Sequence, residues 1–118
     1  MEEQHRSLNE VSGACLVIEL RVFRLLPLVT TIGRDILNDC VVDHPMGSRK
    51  HAKIVHENGE HVLYDLDSTG GTYVNNERVE KRALKSGDII LLGAFPVMFM
   101  YEDPDMMEQL NKGTGMLP

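Results

Sequence analysis

Residues 51–66 read His51-Ala52-Lys53-Ile54-Val55-His56-Glu57, then Asn58-Gly59, then Glu60-His61-Val62-Leu63-Tyr64-Asp65-Leu66. Asn-Gly supplies the positive φ angles that a two-residue hairpin turn demands, and both flanking arms are rich in Val, Ile, Leu and Tyr. In the second arm Val62, Tyr64 and Leu66 alternate with Leu63, Asp65 and Asp67. A side-chain period of two sets the first three on one face of a strand. The middle of the chain is therefore a β-hairpin.

The same signals recur on both sides of it. Short apolar runs at 14–20, 28–33, 40–42, 51–56, 61–66, 72–74, 89–92 and 97–101 are parted by turn residues. Asn75-Asn76 predicts a second hairpin, between Thr72-Tyr73-Val74 and Arg78-Val79. Ser86-Gly87-Asp88 predicts a turn before Ile89, and Gly93 breaks the chain before Val97. No run keeps a helical period over three turns. Many short strands with turns between them predict a β-sandwich. Residues 1–13 read as a disordered arm, 14–101 as the domain, and 102–118 as an acidic tail. In that tail Met106–Leu110 fits one or two helical turns after Glu102-Asp103-Pro104-Asp105.

The 118 residues make one domain, and 42% hydrophobic with 25% charged residues is a soluble globular composition. Runs such as Cys15-Leu16-Val17-Ile18 and Ile89-Ile90-Leu91-Leu92 need burial, which excludes wholesale disorder. No apolar stretch approaches the roughly 18 residues of a membrane span. The polar N-terminus lacks the apolar core of a signal peptide, so a cytoplasmic location is the default. A net charge of -6 excludes a strongly basic nucleic-acid binder. That charge sits mostly at the ends, -2 over residues 1–10 and -3 over 102–118, leaving -1 on the body. Cys15 and Cys40 lie in apolar runs and read as small buried hydrophobes, not as a disulfide scaffold or a zinc site.

Three loops carry the chemistry: Thr31-Ile32-Gly33-Arg34-Asp35, Gly47-Ser48-Arg49-Lys50-His51 and Asp67-Ser68-Thr69-Gly70-Gly71-Thr72. Each offers guanidinium, hydroxyl or glycine-exposed N–H donors, the groups an anion such as phosphate recruits.

Gly33-Arg34, Ser48-x-x-His51, Ser68-Thr69-Gly70-Gly71-Thr72 followed by Asn75, and Leu84…Gly87-Asp88-Ile89-Ile90…Gly93 occur in that order within residues 14–101. Together they resemble a forkhead-associated (FHA) domain. The resemblance implies an all-β, eleven-stranded β-sandwich (FHA/SMAD-like) whose recognition loops, at one end, bind phosphothreonine peptides. It implies that Arg34 grips the phosphate, that Ser48 donates its hydroxyl to it, and that Thr69 adds a contact. Arg49 follows the serine, where family members often place another phosphate-facing residue. Gly33, His51, Gly71 and Asn75 are implied as structural support, His51 bracing the serine loop. The function implied is that of a non-catalytic signalling adaptor downstream of a Ser/Thr kinase. Its partner is a phosphothreonine-containing protein, either a kinase or its substrate; the domain is expected to be a monomer, with self-association left open. No cofactor, metal, nucleic acid or membrane is implied.

Phosphothreonine carries about -1.5 to -2 charges and three acceptor oxygens, and hydrogen bonds to such a group are worth roughly 1.5–3 kcal/mol each. Loss of Arg34 therefore predicts at least a tenfold loss of affinity, since about 1.4 kcal/mol is a decade. Gly70 departs from the family, which places there an asparagine that bonds the peptide's main chain. Gly70→Asn is expected to tighten binding. Pro45-Met46-Gly47 offers no basic residue ahead of the serine, so no preference for an acidic residue in the ligand follows.

The same residues admit other arrangements. Ser48, His51 and Asp67 have the makings of a hydrolytic triad, but no nucleophile-elbow pattern surrounds the serine. His44, His51, His56 and His61 are metal-ligand types, with His51 and His61 flanking the hairpin, yet no carboxylate or cysteine spacing completes a shell. Ser68 reads as a loop hydroxyl capping the backbone, and Lys50 and Lys53 as a solvated strand edge. The alternative function for the same fold is phosphate-independent protein binding or self-association. A phosphorylated Thr114 folding back into the site is a further variant.

Overall fold

The computed structural model describes residues 13–44 and 48–102. Eleven strands follow one another: β1 (Ala14–Ile18), β2 (Arg21–Arg24), β3 (Val29–Gly33), β4 (Cys40–Val41), β5 (Ala52–Glu57), β6 (Glu60–Asp65), β7 (Thr72–Val74), β8 (Glu77–Arg78), β9 (Lys81–Ala83), β10 (Ile89–Leu92) and β11 (Phe95–Tyr101). They form two sheets, ordered β2-β1-β11-β10-β7-β8 and β4-β3-β5-β6-β9. The expected arm and tail fall outside the described residues except at Gly13 and Glu102, as do Pro45-Met46-Gly47 and Thr114.

The expected hairpins form where the turn residues demand them. Asn58 and Gly59 take φ of 53° and 77°, and Asn75 and Asn76 take 49° and 73°. Positive φ at both central residues is the turn whose twist matches paired strands. Val17-Ile18 and Arg21-Val22 close a further hairpin over Glu19 and Leu20. Neither β2 nor β9 was expected, because Arg21-Val22-Phe23-Arg24 and Lys81-Arg82-Ala83 carry too many charges to read as apolar runs. Both lie at sheet edges, where exposed charge is tolerated.

The core lies between the sheets. Leu16, Phe99, Ile90, Leu92 and Val74 from one sheet meet Ile32, Ile54, Ala52 and Leu63 from the other. Ile54 faces Leu63 across β5–β6, whereas Lys53 faces Tyr64 and Tyr64 faces Lys81. The face of β6 that carries Val62 and Tyr64 is thus the outer one. There Tyr64 lies under the ammonium groups of Lys53 and Lys81, 5.3 and 5.5 Å from the ring centroid. Cys15 and Cys40 are buried free thiols. Burial pushes both up, Cys40 to about 11, so neither is a poised nucleophile.

The strand register collects the candidate loops. Ile32 at the end of β3 pairs with Ala52 at the start of β5, and Ala52 pairs with Asp65 at the end of β6. The segments after Gly33, before Ala52 and after Asp65 therefore leave the sandwich at one end. Among the described residues, no helix is long and apolar enough to cross a membrane.

Candidate functional site

His51 stands just ahead of β5, anchored by its N–H to the Ile32 carbonyl and by its own carbonyl to the Leu66 N–H, both at 2.9 Å. Its ring is 1% exposed. Nδ1 accepts the Ser48 N–H at 3.2 Å, so the other nitrogen carries the proton, and Nε2–H donates to the Gly71 carbonyl at 2.8 Å. One neutral imidazole thus joins the serine loop to the glycine loop.

Gly33 brings a third loop alongside. The Arg34 N–H donates to the Ser48 carbonyl at 3.0 Å, and the Asp35 N–H to the Arg49 carbonyl at 3.1 Å. A Cβ on Gly33 would stand 2.1 Å from the Arg49 oxygen, so close approach, not backbone freedom, requires glycine here. The Asn38 amide clamps the same place, donating to the Arg49 carbonyl at 2.7 Å and the Asp35 carbonyl at 2.8 Å. The side chains of Arg34 and Arg49 are exposed at this end, and Ser48 is half-buried between them in sequence.

Thr69 completes the cluster. Its N–H donates to Ser48 Oγ at 2.9 Å. That bond uses a lone pair of the hydroxyl and leaves its proton to be donated elsewhere. Ser68 next door is committed: its hydroxyl donates to Asp65 Oδ1 at 2.5 Å and its N–H to Oδ2 at 3.2 Å. The hydroxyl of buried Thr72 also donates to Asp65 Oδ1, at 2.6 Å. Burial pushes the Asp65 carboxyl up, but the hydrogen bonds from Ser68 and Thr72 outweigh it and hold the group below its ordinary value. Ser68 therefore shapes the loop through the Asp65 carboxylate, not by capping the backbone with its hydroxyl. Asp65 and Asn38 went unnoticed in the sequence, because an Asp ending a strand and an Asn in a polar loop carry no motif of their own.

The remaining candidates divide. Gly71 has a φ of +84°, and its carbonyl accepts the Gly93 N–H at 2.8 Å as well as the His51 ring. Gly70 borders an open hollow of about 510 Å3 lined by Tyr73, Asn76, Leu91, Gly93 and Ala94. Asn75 is bound elsewhere: its amide donates to Asp88 and accepts the Ile89 N–H at 3.0 Å. It secures the β7–β8 turn against β10 and makes none of the bonds that join the Arg34, Ser48 and Thr69 loops.

The geometry leaves the triad without its parts. Both ring nitrogens of His51 are engaged by backbone groups, and Ser48 Oγ faces the Thr69 N–H. The histidine that meets His61 is His56, its register partner, not His51. Those two rings stack with centroids 4.3 Å apart. His61 is 3% exposed, with Nδ1 3.1 Å from the Tyr101 hydroxyl and a buried Nε2 that has no hydrogen-bond partner. Burial, then His56, pushes its pKa down to about 4. Among the described residues, no group of three or more metal-ligand side chains converges.

Comparison with known proteins places these loops in a family context. The family model of the FHA domain matches residues 30–93. The glycogen accumulation regulator GarA of Mycobacterium tuberculosis is 37% identical over 78 residues, 66% of this chain and 48% of the regulator. The chain thus spans about half the length of the curated relatives it matches first. A domain solved in a study of phosphothreonine-dependent FHA interactions superimposes with a TM-score of 0.72 at 29% identity, over 76% of this chain and 97% of that one. Mycobacterium tuberculosis EmbR, solved with a low-affinity phosphopeptide, superimposes with a TM-score of 0.71 at 29% identity, over 85% of this chain and 29% of that one.

Proposed function

Because the chain belongs to the FHA domain family, we propose that it is a non-catalytic signalling adaptor that binds phosphothreonine in a partner protein. One observation carries the reading: Arg34, Ser48, Arg49 and Thr69 meet at one end of the sandwich in loops already bonded to one another. The Arg34 guanidinium takes two phosphate oxygens, the free proton of Ser48 Oγ is donated to the phosphate, and Arg49 and Thr69 complete the cradle. Gly33, His51 and Gly71 hold the loops, and Gly70 lies against the peptide. A cradle ordered before the ligand arrives avoids part of the ordering cost of binding.

The partner is a protein phosphorylated by a Ser/Thr kinase, or the kinase itself, and the domain acts where such kinases work, in the cytoplasm. Residues 14–101 form the binding domain. Among the described residues, no group in the site is arranged as nucleophile and base, in keeping with a regulator such as GarA. Fluorescence polarisation with a degenerate phosphothreonine library, beside its unphosphorylated twin, tests this. Binding of the phosphorylated pool alone is expected, and equal binding of both pools would overturn it.

A further inference from the structure

The outer face of the six-stranded sheet departs from what a solvated sheet face carries. Leu16, Ile90 and Phe99 point into the core, so their neighbours along each strand point away from it. Across β2, β1, β11 and β10 those outward positions form one register row of Val22, Val17, Met98 and Ile89. Arg24, Cys15 and Met100 make the row on one side of it. Pro96, Leu91, Tyr73 and Arg78 make the row on the other. The three rows hold neither a lysine nor a carboxylate, and arginine stands only at the two edges. The outer face of the other sheet, by contrast, carries Lys53, Glu57 and Lys81.

An antiparallel sheet open to water alternates apolar inward and polar outward residues, so an apolar outer face calls for a cover. Val22 and Ile89 are 62% and 37% exposed, and Val17, Met98, Met100 and Leu91 are half-buried. The course of β11 points to the occupant. This strand runs through the middle of the sheet, and Glu102, two residues after the outward Met100, pairs with Arg24 at 3.1 Å. Arg24 belongs to the outer rows, so the ion pair turns the chain toward the apolar face. Asp103-Pro104 follows, a dipeptide that favours a turn. Next come Met106, Met107 and Leu110, which share one side of a helical turn. Asp103, Asp105 and Glu108 against Lys112 make the segment acidic, and the rims it meets are Arg24 and Arg78. Residues 106–118 span about 20 Å even as a helix, whereas Met100 to Pro96 spans about 13 Å of strand.

We infer that residues 103–118 fold back over the outer face of the six-stranded sheet and seat Met106, Met107 and Leu110 on Val17, Met98 and Ile89, whatever the cradle binds. Unbranched methionines adapt to the shallow relief of such a surface. The cradle lies in loops at the end of the sandwich, so a segment on this face leaves it open. Tethering at Glu102 makes the contact intramolecular, which favours it over a second molecule at ordinary concentrations.

The test is nuclear magnetic resonance of the full chain with isotope-labelled methyl groups. Nuclear Overhauser cross-peaks from Met106, Met107 or Leu110 to Val17, Met98 or Ile89 are expected, unchanged on dilution. Met106→Ser/Met107→Ser/Leu110→Ser should abolish them and move the Val17, Met98 and Ile89 signals. The signals of core Leu16 and Ile90 should stay in place, which shows that the variant is folded. The uncovered face of the variant should also raise the fluorescence of an apolar dye several-fold over the wild type. Segment methyl signals at random-coil positions, with no cross-peak to the face, would overturn the inference. So would a wild type that binds the dye as strongly as the variant. Cross-peaks that vanish on dilution as a dimer dissociates would overturn it too, since the occupant would then be a second copy.

Discussion

The Thr69 N–H donates to Ser48 Oγ at 2.9 Å, joining two loops through residues twenty-one positions apart in the chain. The bond orients the Ser48 hydroxyl so that its proton points away from Thr69 and is free for an anion. Ser48→Ala should therefore weaken phosphothreonine binding at least about tenfold, the value of one charged hydrogen bond. The freed Thr69 N–H is exposed and is taken up by water, so stability should change by less than about 1 kcal/mol. Isothermal titration beside thermal denaturation separates the two effects, and unchanged affinity would contradict the role given to the hydroxyl.

Gly33 makes a steric prediction. A methyl group there meets the Arg49 carbonyl oxygen at 2.1 Å, so Gly33→Ala must push the serine loop off β3. Overpacking of this kind costs about 1–3 kcal/mol. Guanidinium denaturation should show that loss, accompanied by weaker phosphopeptide binding even though Gly33 has no side chain to touch a ligand.

Asp65 supports the cradle from below. Asp65→Ala leaves the hydroxyl of fully buried Thr72 without its acceptor, at a cost of about 1–3 kcal/mol, and frees Ser68. Asp65→Asn keeps an acceptor oxygen and should lose less. The wild-type carboxyl titrates below its unfolded value of 3.8, so its contribution is complete above that pH and fades as pH falls below it. Denaturation midpoints of the two variants at neutral pH check the ranking.

His61 sets a different pH dependence. Its folded pKa of about 4 lies below the unfolded 6.5, so the unfolded chain takes up a proton first as pH falls. Stability from this residue is full above pH 6.5 and is lost progressively down to pH 4. Between pH 7.5 and 5 the loss should be about 2 kcal/mol, at 1.36 kcal/mol per pKa unit. His61→Phe should remove that slope, which urea melts at the two pH values will show.

Much of this architecture is written in local chemistry. Asn58-Gly59 and Asn75-Asn76 announced their hairpins because positive φ is demanded there and few residues supply it. Arg34, Ser48, His51 and Gly71 stood out because their spacing forms a family pattern, and they converge at one end of the sandwich. Strands β2 and β9 escaped because edge strands carry charge and lose their apolar signature. Period two could group Val62 with Tyr64 but could not tell which face looked inward; the pairing of Ile54 with Leu63 settled that. Asn75 binds Asp88 rather than the recognition loops, and Asp65 and Asn38 became visible only through hydrogen bonds spanning distant parts of the chain.

The central claim is that this end of the sandwich grips a phosphate through Arg34. The most direct measurement is a titration of one library-selected phosphothreonine peptide into the wild-type chain and into Arg34→Ala. Arg34 is exposed, so the variant should keep its melting temperature. Its affinity should fall at least about tenfold, to the level of the unphosphorylated peptide on the wild type. A variant that still binds the phosphorylated peptide as tightly as the wild type would contradict the account.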